Sequence, residues 1–420
     1  MNNNFWLTLE PTVEISIVNS DCFLYDTVSK NKIEVRENQE VIDLLNKLKE
    51  SNNVTKYRHS LDSVKKYKFV ELLRDNFMGD IIPIEISNGM PFQMTNIINI
   101  QRDEAKLRTG DSNSLSLGEK IMSYLKEVNI VLNNTKNEAF LINAYKQFPY
   151  CCTNQNNDKE LDFNSIINFL STVNLNELSN INIAGSDISS YKHIKNFIRY
   201  LEPFKLTKNL FLHIDILSKN LSTYKSLLFD INNKYWFKVL IFVKAKKLDS
   251  NKIEECIEML SAIKVKFKFY FIIEDEGDYY KTEDVIKKMK IKSFSISPFF
   301  NGKNLEFFKE NVFLTKEDIL SQKLDLKRIN MLKKMNPNFF GKVYIDNLGK
   351  IYTNVNLPSV GTINQVSASD VLHTELDNKR SWFDVKATNR ICSGCLYNSI
   401  CPPKSNYEYF FNKSNLCTIN

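Results

Sequence analysis

A strand, a helix and a second strand follow one another in the stretch from Val239 to Ile273. The stretch opens with Val239-Leu-Ile-Phe-Val243 and closes with Phe267-Lys-Phe-Tyr-Phe-Ile-Ile273, two apolar runs of strand length. Between them, apolar residues at i, i+3, i+4, i+7 and i+10 mark one helix face: Ile253, Cys256, Ile257, Leu260 and Ile263. Short apolar strands joined by a helix indicate parallel pairing, because parallel strands need a crossover that covers the sheet.

The same alternation extends outward on both sides of this stretch. Further apolar runs of strand length lie at Val128–Leu132, Ile181–Ala184, Leu210–Ile216 and Phe294–Ile296. We expect Thr282 to cap another helix, and we interpret Asp275-Glu-Gly277 as an ordinary turn. The pattern predicts an α/β fold in which residues 126–310 form a parallel sheet of six βα units.

Residues 1–82 show a different pattern, typical of a small α+β unit. Three strands are expected at Val13–Val18, Phe23–Asp26 and Lys32–Val35. Two helices should follow, one capped by Asn38 and one over about Leu61–Asn76 that ends near Gly79. Winged-helix units share this pattern. Residues 83–125 are read as a linker and a helix that Ser116 caps.

Composition excludes several classes of partner. The chain has 420 residues, 43% of them hydrophobic, which is enough for a large core. The net charge is only +7 and the lysines are dispersed, so no nucleic-acid partner is expected. No stretch of about 20 apolar residues exists, so no membrane partner is expected. The first residues lack the pattern of a secretory signal, and we expect a cytoplasmic protein.

Four cysteines near the end of the sequence are its most specific feature. Cys392, Cys395, Cys401 and Cys417 fall within the last 29 residues, as C-x2-C-x5-C-x15-C. Without a secretory signal, this density indicates a metal site rather than disulfides. Thiolates select iron–sulfur clusters or zinc, and zinc sites usually pair two close knuckles or use histidines. The uneven spacing favours one 4Fe–4S cluster, with zinc as the alternative.

The sequence around these cysteines resembles a SPASM domain, the auxiliary-cluster extension of radical S-adenosylmethionine peptide maturases. The resemblance rests on Gly341–Asn354, on Gly361-Thr-Ile363 and on the four-cysteine pattern. It implies that residues 311–420 are a cysteine-rich SPASM/twitch-like extension. Family members usually have a cysteine near the position of Asn354 and another after that of Gly361, and both are missing here. The resemblance therefore implies one auxiliary cluster at most.

The six βα units resemble the partial (βα)6 TIM-like barrel of radical SAM enzymes, but the catalytic motif is absent. The family places C-x3-C-x2-C after the first barrel strand, and the loop 133–142 contains no cysteine. If the motif is instead aligned further along the chain, Ala144, Phe148 and Cys151 stand at its three cysteine positions. The glycine-rich turn that meets the cofactor's methionine is reduced to Ala184-Gly-Ser-Asp187. Bound S-adenosylmethionine is therefore not expected.

Most of the chain resembles the pseudo-radical-SAM/SPASM proteins of ribosomal-peptide (RiPP) maturation systems. The matching segments are Phe5–Pro11, Leu24–Asp26, Tyr145–Phe148 and Cys151-Cys152. The resemblance implies a protein that is not a functional radical SAM enzyme by itself. It implies a peptide-binding or partner subunit, whose partners are a precursor peptide, a radical SAM maturase, or both. Residues 1–82 would be the element that recognises the leader peptide.

Two other functions stay open. The first is an enzyme that uses the barrel cavity without radical chemistry, with the adjacent thiols of Cys151 and Cys152 beside Lys146. His213 and Asp215 would then share one strand face, although a core histidine is the simpler interpretation. The second is a purely structural scaffold closed by zinc. No catalytic residue is assigned.

Overall fold

The computed structural model describes residues 4–58, 64–86, 89–91, 121–134, 144–150, 159–232 and 237–419. The strands are β1 Asn4–Leu9, β2 Val13–Val18, β3 Asp21–Asp26, β4 Lys32–Val35, β5 Val54–Arg58, β6 Gly79–Pro83, β7 Glu127–Val131, β8 Asn180–Ala184, β9 Thr207–His213, β10 Phe237–Lys244, β11 Lys266–Ile273, β12 Phe294–Pro298, β13 Lys342–Ile345, β14 Lys350–Tyr352 and β15 Gly361–Thr362.

The α-helices are α1 Gln39–Glu50, α2 Val64–Asp75, α3 Ala144–Gln147, α4 Phe163–Ser171, α5 Ile194–Leu201, α6 Ile214–Lys219, α7 Leu221–Asn232, α8 Ser250–Ala262, α9 Glu276–Lys288, α10 Leu305–Asn311, α11 Lys316–Leu320, α12 Leu326–Lys334, α13 Ala368–Asn378 and α14 Asn406–Phe410. Short 3₁₀ turns lie at Ile84–Ile86, Ile121–Tyr124, Ile188–Ser190, Ala245–Lys247, Ser381–Phe383, Lys386–Thr388 and Cys392–Gly394. No helix among the described residues is long and apolar enough to cross a membrane.

The chain divides into two compact units whose segments interleave. The first unit contains residues 1–119, 315–335 and 385–403, and the second contains residues 120–314, 336–384 and 404–420. The predicted extension at 311–420 thus contributes segments to both units. The boundaries at 82, 125 and 310 stay predictions.

The first unit contains two three-stranded antiparallel sheets, β5-β1-β6 and β2-β3-β4. The predictions of β2, β3, β4 and α1 are confirmed, and the Asn38 side chain accepts the Val41 N–H at 3.3 Å as a helix cap. The core includes Leu7, Leu24 and Leu45. Strands β1, β5 and β6 were not predicted.

Gly79 has a different role from the predicted one. The second helix ends at Asp75, and Gly79 opens β6 beside β1 rather than capping the helix. A Cβ atom at Gly79 would lie 2.4 Å from the Thr8 carbonyl oxygen. The glycine therefore permits the close approach of the two strands. The Ser116 cap and the first residues of the predicted Leu61 helix lie outside the described residues.

The second unit is built on a nine-stranded sheet of order β12-β11-β10-β9-β8-β7-β13-β14-β15. Strands β7 to β12 pair in parallel in chain order, which confirms the predicted run of βα units. Strand β13 adds in parallel to β7, and β14 and β15 follow as antiparallel strands. Closure into a partial barrel stays a prediction.

Alternation along the strands gives the sheet two apolar faces. The helix face carries Ile130, Ile183 and Ile241, which pack in one core with the helices. The opposite face, called the cavity face below, carries a second apolar cluster. Its strand residues are Val131, Ala184, Phe211, Leu240, Phe242, Ile272 and Tyr344. Any ligand site inside the predicted barrel would lie on the cavity face.

Two boundaries differ from the predictions. Strand β9 ends at His213 and Ile214 already begins α6, because the His213 Nδ1 accepts the Asp215 N–H at 3.3 Å and caps the helix. The predicted strand Leu210–Ile216 is therefore too long. Helix α9 begins at Glu276, where Asp275 accepts the Asp278 N–H at 2.8 Å, so neither the turn at Asp275 nor the cap at Thr282 is correct.

Candidate functional sites

The chain itself covers the cavity face at the position that aligns with the cysteine triad of radical SAM enzymes. Helix α3 and the residues that follow it pack there, with Ala144 and Tyr145 in the same apolar cluster as Val131 and Phe211. The Tyr150 ring stacks on Phe211 with a centroid distance of 4.5 Å and an interplanar angle of 11°. The segment Ala144–Tyr150 therefore forms part of the core of the second unit.

Ala144 and Phe148 occupy two of the three aligned cysteine positions, and both are packed. Ala144 is only 3% exposed. The Phe148 ring lies 6.3 Å from Phe299 and 6.3 Å from Tyr407 between ring centroids. The third position, Cys151, and its neighbour Cys152 lie outside the described residues.

Gln147 fixes this segment to the end of β12. Its side-chain Nε2 donates to the Phe300 carbonyl at 2.9 Å, and its Oε1 accepts the Phe300 N–H at 2.9 Å. The side chain is buried, so the pair of hydrogen bonds is shielded from water. The segment is held by both polar and apolar contacts, which argues against easy displacement by a ligand.

The turn Ala184-Gly-Ser-Asp187 also uses its acidic group internally. The Asp187 carboxylate accepts hydrogen bonds from the Tyr224 hydroxyl at 2.7 Å, the Ser189 hydroxyl at 2.6 Å and the Asn220 amide at 3.0 Å. Burial, with the nearby carboxylate, raises the pKa of Tyr224, so its hydroxyl stays a donor. A ligand amine would have to displace these donors to reach Asp187.

Three asparagines form a ladder across the parallel sheet. The Asn209 amide donates to Asn182 Oδ1 at 2.7 Å, the Asn182 amide donates to Asn129 Oδ1 at 2.6 Å, and Asn129 donates to the Val343 carbonyl at 3.1 Å. This ladder was not predicted from the sequence. Its signal was present as one asparagine inside each of three neighbouring strands.

His213 and Asp215 come together, but not on one strand face. The His213 Nδ1 lies 3.5 Å from Asp215 Oδ2, and Lys252 Nζ lies 2.7 Å from Asp215 Oδ1. Burial lowers the pKa of His213 to about 4. The charges of Lys244 and Lys252 also lower this pKa, whereas the Asp215 carboxylate raises it. Burial works to raise the pKa of Asp215, but the Lys252 hydrogen bond and the nearby positive charges lower it overall. The imidazole is neutral at pH 7 and caps α6.

A cavity of about 280 Å³ lies in the second unit against the cavity face. Half of its lining residues are aromatic, and these include Phe148, Tyr150, Phe242, Tyr270, Tyr344 and Tyr407. Lys342 is the charged residue of this lining, and its other polar residues are Gln147, Ser297, Asn338, Ser405 and Asn406. Burial raises the pKa of Tyr344 and of Tyr407, so these phenols are neutral. The cavity was not predicted from the sequence, in which only Phe148 of these aromatic residues was singled out.

The four predicted metal ligands are divided between the units. Cys392, Cys395 and Cys401 belong to the first unit and Cys417 to the second. The Cys395 N–H donates to the Cys392 carbonyl at 3.0 Å, which folds the C-x2-C pair into a tight turn. Within the described ranges, no group of three or more His, Cys, Asp or Glu side chains is placed to hold a metal ion. The thiol chemistry fits a cluster or zinc, and the assignment of the four cysteines as ligands stays a prediction.

The segment with the first three cysteines, residues 385–403, is anchored to the N-terminal strands of the first unit. The Tyr397 ring packs edge-on against Phe23 at 5.2 Å. Its hydroxyl donates to Glu34 Oε2 at 2.8 Å, and Glu34 also pairs with Lys316 at 3.0 Å and Arg36 at 2.7 Å. Burial works to raise the pKa of Glu34, but these three partners lower it overall. The arrangement joins segments that lie more than 300 residues apart.

Comparisons with known proteins found distant structural likeness only. No family model matches the chain, and no curated protein matches it. Among solved structures, SuiB of Streptococcus suis bound to S-adenosylmethionine is 13% identical, with a TM-score of 0.43, and 98% of each chain is covered. SuiB in another crystal structure is 12% identical with a TM-score of 0.41, covering 98% of this chain and 100% of that one. SuiB bound to the precursor peptide SuiA is 12% identical with a TM-score of 0.41, and 98% of each chain is covered. At these TM-scores the likeness supports no argument about the present chain.

Proposed function

We propose that this chain is a radical-SAM-like protein that has lost the radical chemistry. It serves as a peptide-binding or partner subunit in the maturation of a ribosomally made peptide. The observation that carries the proposal concerns two of the three aligned cysteine positions, where Ala144 is buried in the apolar cluster of the cavity face and the half-buried Phe148 packs against that cluster. A cluster with an open iron needs three spaced thiolates, and apolar side chains at two positions cannot supply them.

Two further observations support the loss of cofactor binding. The Asp187 carboxylate is engaged by three side chains of the protein itself. The segment Ala144–Tyr150 lies against the cavity face and is fixed by Gln147. Displacing the donors of Asp187 or the segment Ala144–Tyr150 would leave polar groups without partners. Each such group costs about 1–3 kcal/mol when it is buried.

The proposal keeps the predicted architecture and metal content. Residues 126–310 would be a partial barrel, and Cys392, Cys395, Cys401 and Cys417 would hold one auxiliary 4Fe–4S cluster, with zinc as the alternative. Such a group would supply folding free energy to the C-terminal segments, since thiolate–metal bonds form only in the folded chain. The Tyr397 anchor to Glu34 supports a structural role for these segments.

The test uses the intact protein in two titrations. S-adenosylmethionine is titrated by calorimetry, and we expect no heat of binding. Synthetic candidate precursor peptides are then titrated in the presence and absence of a cysteine-complete radical SAM maturase. Binding of a peptide or of that maturase supports the proposal. Binding of S-adenosylmethionine, or activity of the isolated protein on a peptide, would overturn it.

A further inference from the structure

We propose that the cavity on the cavity face binds an aryl carboxylate, meaning a single aromatic ring that carries a carboxylate on a short stem. This goes beyond the proposed function and holds whether or not the chain acts on peptides. The ring would lie among the aromatic walls, and the carboxylate would pair with Lys342. The ligand could be a free aromatic acid or the C-terminal aromatic residue of a peptide, because both present the same groups.

The size of the cavity limits the ligand to about one amino-acid residue. Its volume is about 280 Å³. Pockets for drug-sized ligands span roughly 300–1,000 Å³, so this one lies just below that range. A single ring with a short stem fits, whereas a nucleotide or a folded segment of chain does not.

The walls select an aromatic group. Tyr150 stacks on Phe211, and the Phe242 and Tyr270 rings lie 5.6 Å apart at 44°. Phe148 adds an edge-to-face contact with Tyr407. Rings prefer such offset and tilted arrangements, and another ring inserted among them gains about 0.5–1.5 kcal/mol per pair beyond its area burial.

The polar lining selects a negative charge. Lys342 is half-buried, and its ammonium has no hydrogen-bond or ion-pair partner in the part of the chain that the structure describes. Its neighbour in register, Glu127, accepts from the Tyr150 hydroxyl at 3.2 Å instead. A half-buried cation without a partner gains from a ligand carboxylate, because a charge-assisted hydrogen bond is about twice as strong as a neutral one.

A second positive charge lies close to the same wall. Lys268 Nζ lies 4.8 Å from the centroid of the Tyr270 ring. The Tyr270 hydroxyl has no hydrogen-bond partner among the described residues and can donate to a ligand oxygen. The aromatic walls would contact the ring of an aryl carboxylate. The Lys342 ammonium and the Tyr270 hydroxyl would bind its carboxylate.

The experiment compares N-acetylphenylalanine with its amide, which differ only in the carboxylate, and adds 3-phenylpropionate, which keeps the carboxylate but lacks the acetamido group. The intact protein is titrated with N-acetylphenylalanine, with N-acetylphenylalanine amide and with 3-phenylpropionate, by calorimetry or ligand-observed NMR. We expect both acids to bind at least tenfold more tightly than the amide. If N-acetylphenylalanine binds more tightly than 3-phenylpropionate, the natural ligand is the C-terminal residue of a peptide. If 3-phenylpropionate binds more tightly, the natural ligand is a free acid.

The variants separate Lys342 from general charge effects. Lys342→Met should reduce the affinity for the acids to that for the amide, whereas Lys288→Met, which removes an exposed charge from α9, should change neither. Equal affinity of wild type for acid and amide, or no binding of either at millimolar concentration, would overturn the proposal. This comparison needs only the wild-type protein, so it stands even if Lys342→Met does not fold.

Discussion

The Tyr397 hydroxyl donates a 2.8 Å hydrogen bond to the carboxylate of Glu34, a residue of β4. Through this contact a residue between the predicted metal ligands Cys395 and Cys401 is fixed to the N-terminal strands. The Phe23 ring supports Tyr397 from the side, and Lys316 Nζ lies over the Tyr397 ring at 5.5 Å. The first unit is therefore held together by segments from both ends of the sequence, and the contact can be tested directly.

Tyr397→Phe keeps the ring but removes the hydroxyl. We expect a loss of about 1–2 kcal/mol in the free energy of unfolding, because a half-buried carboxylate loses a charge-assisted hydrogen bond. Urea unfolding of the intact protein measures the loss. The matched control is Tyr280→Phe, since the Tyr280 side chain is 61% exposed. If both variants unfold at the same urea concentration as wild type, the Tyr397 contact contributes nothing to stability.

The asparagine ladder predicts a larger effect. Asn182→Ala removes the middle member and leaves the Asn129 oxygen and the Asn209 amide without the bonds they make at 2.6 and 2.7 Å. Each unsatisfied buried group costs about 1–3 kcal/mol, so we expect a total loss of about 3 kcal/mol. Asn168→Ala, on the exposed side of α4, serves as the control. If Asn182→Ala lowers the free energy of unfolding by no more than Asn168→Ala does, the ladder does not contribute to stability.

The buried His213 predicts a pH dependence of stability. Burial lowers its folded-state pKa to about 4 from 6.5, so the unfolded chain binds the proton more tightly. Between pH 6.5 and pH 4 the unfolded state therefore carries more protons, and the free energy of unfolding falls as pH falls. We expect His213 to account for a loss on the order of 1–3 kcal/mol across this window.

His213→Asn isolates this contribution. Asparagine can still accept the Asp215 N–H as a helix cap, but it does not titrate. The variant should lose less stability than wild type when the pH falls from 7 to 4.5, as followed by urea unfolding at each pH. Parallel losses in the two proteins would mean that the imidazole does not stay neutral in the fold.

The sequence predicts the parallel sheet well, because β10 and β11 are apolar runs of strand length joined by a clear helix pattern, and shorter apolar stretches mark the other four strands. It fails where an apolar run continues past the end of a strand. Ile214 and Ile216 are as apolar as β9, and only the capping contact of His213 with Asp215 shows that a helix begins there. Periodicity alone does not separate a short buried strand from a short buried helix.

The candidate sites were less predictable, because their contacts are distant in sequence. Gln147 bonds to Phe300 and Tyr397 bonds to Glu34 across 153 and 363 positions. Local patterning carries no information about such pairs. The absence of the cysteine triad, by contrast, was readable from the sequence, since it depends only on residue identity at fixed spacing.

Metal analysis tests the C-terminal cysteines. The protein is purified anaerobically, and iron, sulfide and zinc are measured per chain together with the visible spectrum. We expect about four irons with matching sulfide, lost in the double variant Cys392→Ala, Cys395→Ala, because that variant keeps only two of the four predicted thiolate ligands. The control is Cys256→Ala, which removes a thiol buried in the helix-face core of the second unit and should retain the metal.

The other outcomes assign the site differently. About one zinc and no iron would make the four cysteines a structural clasp, since zinc has no redox chemistry. About eight irons would require a second cluster and would contradict the loss of the radical site, because only one four-cysteine set has been assigned. A further comparison uses the metal-free protein. If wild type and Tyr397→Phe are equally stable after chelation, the Tyr397 contact has been lost together with the metal. Metal binding would then order the segment that carries Cys392, Cys395 and Cys401.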